Sequence, residues 1–159
     1  IFILGNHDWL GQDNPQKFRE ILSQYPDVIY LENDYVEIEG IKIYGTPVTP
    51  FFFNWAFNVD RGPDILEYWN RIPFDTHILI THGPVYSILD TAPDGRSVGC
   101  VDLYNTINER LLGLKLFVSG HIHCSYGYEV VNDVQYVNAA ILNERYQIQN
   151  RPQLVEVNL

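Results

Sequence analysis

Four of the five histidines in this sequence share one local grammar, and that grammar constrains the fold more than any other feature. Each lies at or just past the end of an apolar, strand-like run, with a glycine beside it. His7 follows the run Ile1–Leu4 and Gly5, and His82 follows the run 77–81 and precedes Gly83. His121 and His123 follow the run Leu114–Ser119 and Gly120. Independent core histidines have no reason to repeat such a pattern. In α/β sheets, functional groups gather beyond the carboxyl ends of the strands, where loops converge. Glycine there lets the backbone turn so that the next side chain points into a shared cleft. The pattern predicts an α/β domain in which four histidines meet.

The rest of the chain reads as one continuous domain over residues 1–159, without repeats or low-complexity tracts. Asn14 and Pro15 start a helix with Phe18, Ile21, Leu22 and Tyr25 at helical spacing, stopped by Pro26. Val28–Leu31 reads as a short strand, and Tyr35–Glu39 with Ile41–Tyr44 as a hairpin around Gly40. Residues 46–61, rich in proline and aromatics, form a long loop of the kind that usually has a task. A second helix runs from Pro63 to about Asn70, and a third carries Leu103, Ile107 and Leu111 on one face. Tyr126–Val131 and Val134–Val137 flank the two-residue turn signal Asn132-Asp133. A final strand is expected from about Gln153 to Val157. Strand–helix–strand units followed by hairpins give a mixed layered domain rather than a pure doubly wound sheet.

Composition bounds the function. Ten basic side chains against twenty acidic ones leave a net charge of −10. Such a surface repels nucleic-acid polymers and anionic lipid, so an anionic substrate needs a local positive centre such as a metal. A hydrophobic content of 46% and only two cysteines argue against a disordered chain and against a disulfide scaffold. No apolar run approaches the ~20 residues that span a bilayer, and no signal peptide is visible. The expectation is a soluble cytoplasmic protein with no membrane partner. The sequence has no methionine and opens on a strand-like run at Ile1. It therefore reads as the downstream part of a longer product.

Imidazole suits Zn, Mn, Fe and similar ions, and asparagine adds a neutral carbonyl oxygen, so a metal centre is the leading chemistry. A nucleophilic triad built on Ser119 is the rival, but no Gly-x-Ser-x-Gly elbow occurs. Cys100 and Cys124 could share a structural zinc, although the absence of a Cys-x-x-Cys pair favours free thiols. His77 lacks the glycine grammar and reads as a surface or structural residue. Trp55 and Phe57 are candidate substrate contacts, whereas Phe51–Phe53 read as a loop folded onto the core by its own aromatics. Arg61, Arg71 and Arg96 are candidate phosphate contacts that nothing separates from surface arginines.

Three blocks carry a resemblance. Gly5-Asn6-His7-Asp8, Thr81-His82-Gly83-Pro84 and Gly120-His121-Ile122-His123 match, in order, the last three signature blocks of the calcineurin-like metallophosphoesterases. The chain is most similar to the metallophosphoesterase-domain-containing (MPPED) branch. That likeness rests on Gly45-Thr46-Pro47, Asn54-Trp55-Ala56-Phe57-Asn58, Val98-Gly99-Cys100 and Tyr126-Gly127, and runs through essentially the whole chain. The resemblance implies a layered sandwich of two mixed sheets flanked by helices. It also implies hydrolysis of a small phosphoester, with nucleotides among the candidates, by a metal-activated hydroxide. Two divalent ions (Mn, Fe, Zn or Ni) would serve. Asn6, His82 and His121 would bind one and His123 the other, while His7, oriented by Asp8, would protonate the leaving oxygen.

The family's first two blocks, Asp-x-His and a downstream Gly-Asp, should precede Gly5, where this sequence has only four residues. The resemblance implies that those blocks supply most ligands of the first ion and the carboxylate that bridges both. The expectation is an N-terminally truncated domain that binds at most one ion firmly and hydrolyses little. A catalytically weak metal- or nucleotide-binding protein of the same fold is the alternative.

Overall fold

The computed structural model describes residues 1–158. Its frame is a six-stranded mixed sheet of β1 (Asp34–Ile38), β2 (Ile41–Thr46), β5 (Ile78–Thr81), β6 (Leu116–Ser119), β7 (Gly127–Val131) and β8 (Val134–Asn138). The order is β1-β2-β5-β6-β8-β7. The four inner strands run parallel, and β1 and β7 close the edges as antiparallel hairpin partners. Both hairpins turn as the sequence suggests. Glu39 and Gly40, and Asn132 and Asp133, take the paired positive φ angles of a turn whose twist matches its strands.

The parallel register aligns one large side chain per strand: Tyr44 opposite Leu79, Leu79 opposite Phe117, and Phe117 opposite Tyr136. All four are buried, each contributing about 1.5–3 kcal/mol of apolar burial. Helices α3 (Pro63–Trp69) and α4 (Val101–Arg110) belong to this core through Ile65, Trp69, Leu103 and Ile107. Pro63 at the first helical position and buried Leu103, Ile107 and Leu111 agree with the sequence reading.

At the carboxyl ends of the same strands the row becomes polar. Thr46, Thr81, Ser119 and Asn138 are all buried. Three of them tie down loops: the Thr46 hydroxyl donates to Asn33 Oδ1 at 2.7 Å, and that of Thr81 to Gly83 O at 2.7 Å. Asn138 Nδ2 donates to Leu89 O at 3.2 Å and Ile122 O at 2.9 Å. Buried polar groups need partners, and Thr81 and Asn138 find theirs at Gly83 O and Ile122 O, in loops that carry histidines.

Several elements differ from expectation. The strands expected at 1–4 and 28–31 shrink to one parallel bridge, Phe2 with Tyr30. Residues 8–13 contain a short helix, α1 (Trp9–Asp13), before α2 (Pro15–Leu22), which is capped by Asn14 Oδ1 on Lys17 N. Ile21 and Tyr25, expected on the buried face of α2, are exposed. The expected strand at 153–157 does not form. Pro152 lacks a donor, and side-chain amides replace the ladder: Gln153 Nε2 donates to Asn138 O and Gln135 Nε2 to Glu156 O. Beside the mixed sheet, the second sheet has two parallel strands, β3 (Thr49–Pro50) and β4 (Asn58–Val59), inside the 46–61 loop. A groove of about 330 Å³ lined by Ile3, Leu4, Ile80, Val118 and Ala139 runs along the sheet beside Gly5 and His82.

Candidate metal centre

Asn6, His7, His82, His121 and His123 line one cleft of about 1010 Å³. Three loops bring them there, each leaving the carboxyl end of a strand-like run. The turn 5–8 is closed twice, by Asp8 N donating to Gly5 O at 3.0 Å and by Gly5 N donating to Asp8 Oδ2 at 2.7 Å. Ala56 N donates to Asn6 O at 3.1 Å, so the 46–61 loop holds this turn. Gly120 N donates to His82 O at 3.0 Å and couples the second loop to the third.

The glycines act differently from the expectation that they relieve the backbone. Gly5, Gly83 and Gly120 all have ordinary φ, and the positive φ of 65° falls on His121 itself. What Gly5 supplies is room. A Cβ there would lie 2.5 Å from His82 Cε1 and 2.6 Å from its Nδ1. A strained φ on a bulky side chain at a candidate site is the kind of outlier that attends function.

His82 Nε2 lies 2.8 Å from Asn6 Oδ1, and the rings of His82 and His121 are 4.7 Å apart. His123 Nδ1 meets Asn143 O at 2.9 Å, which leaves its Nε2 for another partner. A ligating histidine held through its second nitrogen in this way is the usual arrangement around a metal. Loss of hydration, then the charges that His121, His7 and His123 would carry, hold His82 down to about 3. Loss of hydration, with His123 and His7, holds His121 down to about 4. Both imidazoles are therefore neutral at pH 7, the form that ligates, and an ion would replace the hydrogen bond that His82 Nε2 donates to Asn6 Oδ1.

These shifts predict a pH effect on stability. The folded pKa values lie below the unfolded value of 6.5, so the unfolded chain binds more protons between about pH 3 and 6.5, and stability falls as pH drops through that window. Chemical unfolding in chelator-containing buffer at pH 7 and pH 5 checks this. The expected loss at pH 5 shrinks in His82→Gln, and equal pH slopes for the two proteins would contradict it.

The donors fit one divalent ion in part. Two ligands at right angles on a metal with ~2.1 Å bonds stand ~3 Å apart, close to the Asn6–His82 separation. Asn6 Nδ2 is buried without a partner, which marks the pocket as polar and incompletely satisfied. Among the described residues, however, no three His, Cys, Asp or Glu side chains converge closely enough to hold an ion by themselves. A full two-ion centre does not fit the residues present.

Other sequence candidates divide. Trp55 lines the cleft with its ring 4.7 Å from His7. Phe57 is absent from the lining and packs toward Gly11. Phe51, Phe52 and Phe53 are each more than half exposed rather than packed on the core, and the first two line the cleft. Asp8 bonds its own turn and, among the described residues, makes no hydrogen bond to His7. Arg61 donates to Gly99 O at 2.9 Å and Val98 O at 2.7 Å, Arg96 pairs with Asp94, and Arg71 lies over Tyr68. His77 Nδ1 accepts from Lys42 N, a structural role. Cys100 is buried, its thiol pushed up by burial, and Cys124 is exposed; both are free thiols. Sequence reasoning missed Asn143 and Tyr146. Only a turn-like Asn-Glu-Arg between apolar residues marked them, and that signal carries no chemistry.

Comparison with known proteins agrees with this geometry. Residues 1–125 match the family model described as calcineurin-like phosphoesterase. The chain is 40% identical over 178 residues to metallophosphoesterase domain-containing protein 1 of Homo sapiens, and equally to that of Mus musculus, covering 99% of this chain. It spans about half (54%) of the length of those relatives. The structure of TT1561 from Thermus thermophilus aligns with a TM-score of 0.59 at 12% identity, over 87% of this chain and 61% of that one, a likeness of fold. No helix among the described residues is long and apolar enough to cross a membrane. With three signature blocks meeting in one cleft and a family model matching most of its length, the chain belongs to the calcineurin-like phosphoesterase family.

Proposed function

We propose that this chain forms the larger part of a metal-dependent phosphoester hydrolase domain. In this reading Asn6, His82 and His121 hold one divalent ion, His123 serves a second, and His7 gives a proton to the leaving oxygen. One observation carries the reading: the convergence of these five side chains in a single cleft, with Asn6 and His82 at the spacing of neighbouring ligands. When bound, divalent metal supplies the positive charge that attracts a phosphoester to an acidic protein and activates water for in-line attack. The chain's own groups do the rest. His82 and His121 stay neutral as donors, and Asn143 O fixes the ring of His123. His7 stands exposed in the cleft, where bulk water can reprotonate it. Small phosphodiesters and phosphomonoesters are the substrate class, with Mn, Fe, Zn or Ni as metal, in the cytoplasm.

The remaining donors, in this reading, come from sequence outside residues 1–159. The half-length match to relatives and the open groove beside Gly5 and His82 support it. The absence of a converging carboxylate set among the described residues favours a second reading, a weakly catalytic metal- or nucleotide-binding protein. Hydrolysis of bis(p-nitrophenyl) phosphate with Mn²⁺ separates the two. Residues 1–159 are expected to turn over little, and the full-length protein well, with His7→Ala costing about 10²–10⁴-fold in kcat. Robust turnover by residues 1–159, lost in His7→Ala, would refute the incomplete centre. An unchanged rate in full-length His7→Ala removes His7 from its role, and an inactive full-length protein leaves the binding reading.

A further inference from the structure

We infer that Tyr146 is a positioning residue that, with Trp55, clamps the His7 imidazole in the cleft while bracing His123. The inference deepens the reading of His7 as proton donor and rests on it for its catalytic consequence. His7 is exposed, and among the described residues its ring makes no hydrogen bond. Asp8, the group implied to orient it, accepts from Gly5 N through Oδ2 and, among the described residues, makes no hydrogen bond to the His7 ring. An untethered ring on an exposed turn samples its rotamers unless packing selects one. Here two aromatic neighbours select it. Trp55 lies 4.7 Å away at a tilt of 44°, and Tyr146 stands edge-on at 5.9 Å and 88°. Both separations fall where aromatic pairs attract.

The same tyrosine is edge-on to His123 at 5.3 Å and 88°. His123 is tethered by Nδ1 to Asn143 O, three residues before that tyrosine. One turn thus touches two histidines carried on loops more than a hundred residues apart in sequence. The turn is built to hold its shape. Asn143 Oδ1 accepts from Arg145 N at 2.9 Å and Gln147 N at 3.1 Å, and Asn143 N donates to Gln147 O at 2.9 Å. Tyr146 N donates to Asn143 O at 2.8 Å, and Leu142 bridges Ile148.

Tyr146 itself takes a φ of 58°. This is the left-handed position after a turn that glycine occupies without strain and a bulky side chain does not favour. A tyrosine there is explained by the two contacts of its ring. Its hydroxyl has no hydrogen-bond partner among the described residues, so the ring does the positioning and phenylalanine should replace it.

The test is NMR on residues 1–159 with labelled histidine in metal-free buffer. Wild type is expected to show nuclear Overhauser contacts from the His7 ring to both Trp55 and Tyr146, and a single His7 rotamer. Tyr146→Phe keeps these signals. Tyr146→Leu loses the ring-current shifts at His7 and His123 and populates several His7 rotamers, with the sheet amides unmoved. In the full-length protein Tyr146→Leu lowers kcat about tenfold at constant KM, the cost of a misplaced catalytic group, and Tyr146→Phe restores it. A wild-type spectrum without the His7–Tyr146 contact, which needs no variant to fold, overturns the clamp. Unchanged histidine shifts in Tyr146→Leu overturn it too. Released rings with an unchanged kcat leave the clamp standing and sink the proton-donor role of His7.

Discussion

Titration of residues 1–159 with Mn²⁺ is expected to saturate at no more than one ion per chain, and His82→Ala is expected to abolish that binding. The donor set decides both outcomes. Asn6 Oδ1 and His82 Nε2 already stand 2.8 Å apart, and the His121 ring lies 4.7 Å from that of His82. Removing His82 leaves a neutral amide oxygen and one imidazole, too little to compete with water for a divalent ion. Loss of a group that merely orients a ligand costs about 10–100-fold in affinity, and loss of the ligand itself costs at least the upper end of that range. Gly5→Ala gives a purely steric version. Its Cβ would meet the His82 ring at 2.5 Å, so the imidazole must move although every donor is retained. His77→Ala is the control, because that ring accepts from Lys42 N at the amino end of β5, away from the cleft. Calorimetry and Mn²⁺ electron paramagnetic resonance read the stoichiometry. Two tightly bound ions would sink the incomplete-centre reading, and a His82→Ala protein of unchanged affinity would sink the ligand assignment.

What could be read from the residues follows a physical divide. Leu79, Phe117 and the hairpin turn Asn132-Asp133 are local signals, set by burial alternation and by turn conformations that few residues adopt, and they survive into the structure. The histidine grammar was legible for a related reason: strand ends and glycines are local, and their convergence follows from a parallel sheet. Contacts between distant segments left no such trace. Nothing in Asn143 or Tyr146 announces that their turn reaches His123 and His7. Gln153–Val157 shows apolar alternation, but it meets β7 through one side-chain amide, Gln153 Nε2 on Gly127 O, and Leu154 is 97% exposed. The three phenylalanines at 51–53 mislead in the opposite direction. Apolar composition suggests a loop folded onto the core, whereas Phe52 and Phe53 pack on each other and on Trp55 yet stay exposed, with Phe51 and Phe52 at the cleft.

Gly99→Ala should have the largest effect on stability of any single-methyl change in the loop 84–99. A Cβ at that position would lie 2.1 Å from Val85 O, 2.3 Å from Val85 C and 2.7 Å from Tyr86 N. These are backbone atoms, and they cannot swing aside as a side chain can. They are also pinned. Cys100 N donates to Pro84 O, Tyr86 N donates to Cys100 O, and Val85 pairs with Cys100 in a parallel bridge. Around them the buried Asp90 carboxylate accepts from Gly99 N and Ser87 N at 2.9 Å each, and from the Ser97 hydroxyl. Arg61 holds the carbonyls of Val98 and Gly99 from the other side. To admit one methyl group, this network must separate. Overpacking a tight site costs about 1–3 kcal/mol and occasionally more, and this site, closed by backbone, belongs at the upper end. For a domain of this size that is roughly a 6–12 °C fall in Tm. Gly113→Ala, where an added Cβ meets nothing within 4 Å and φ is unexceptional, should change Tm by no more than about a degree or two. Calorimetry on the two variants decides the matter. Equal melting temperatures would mean that the loop closing this side of the cleft yields easily, and that Asp90 and Arg61 do not hold it.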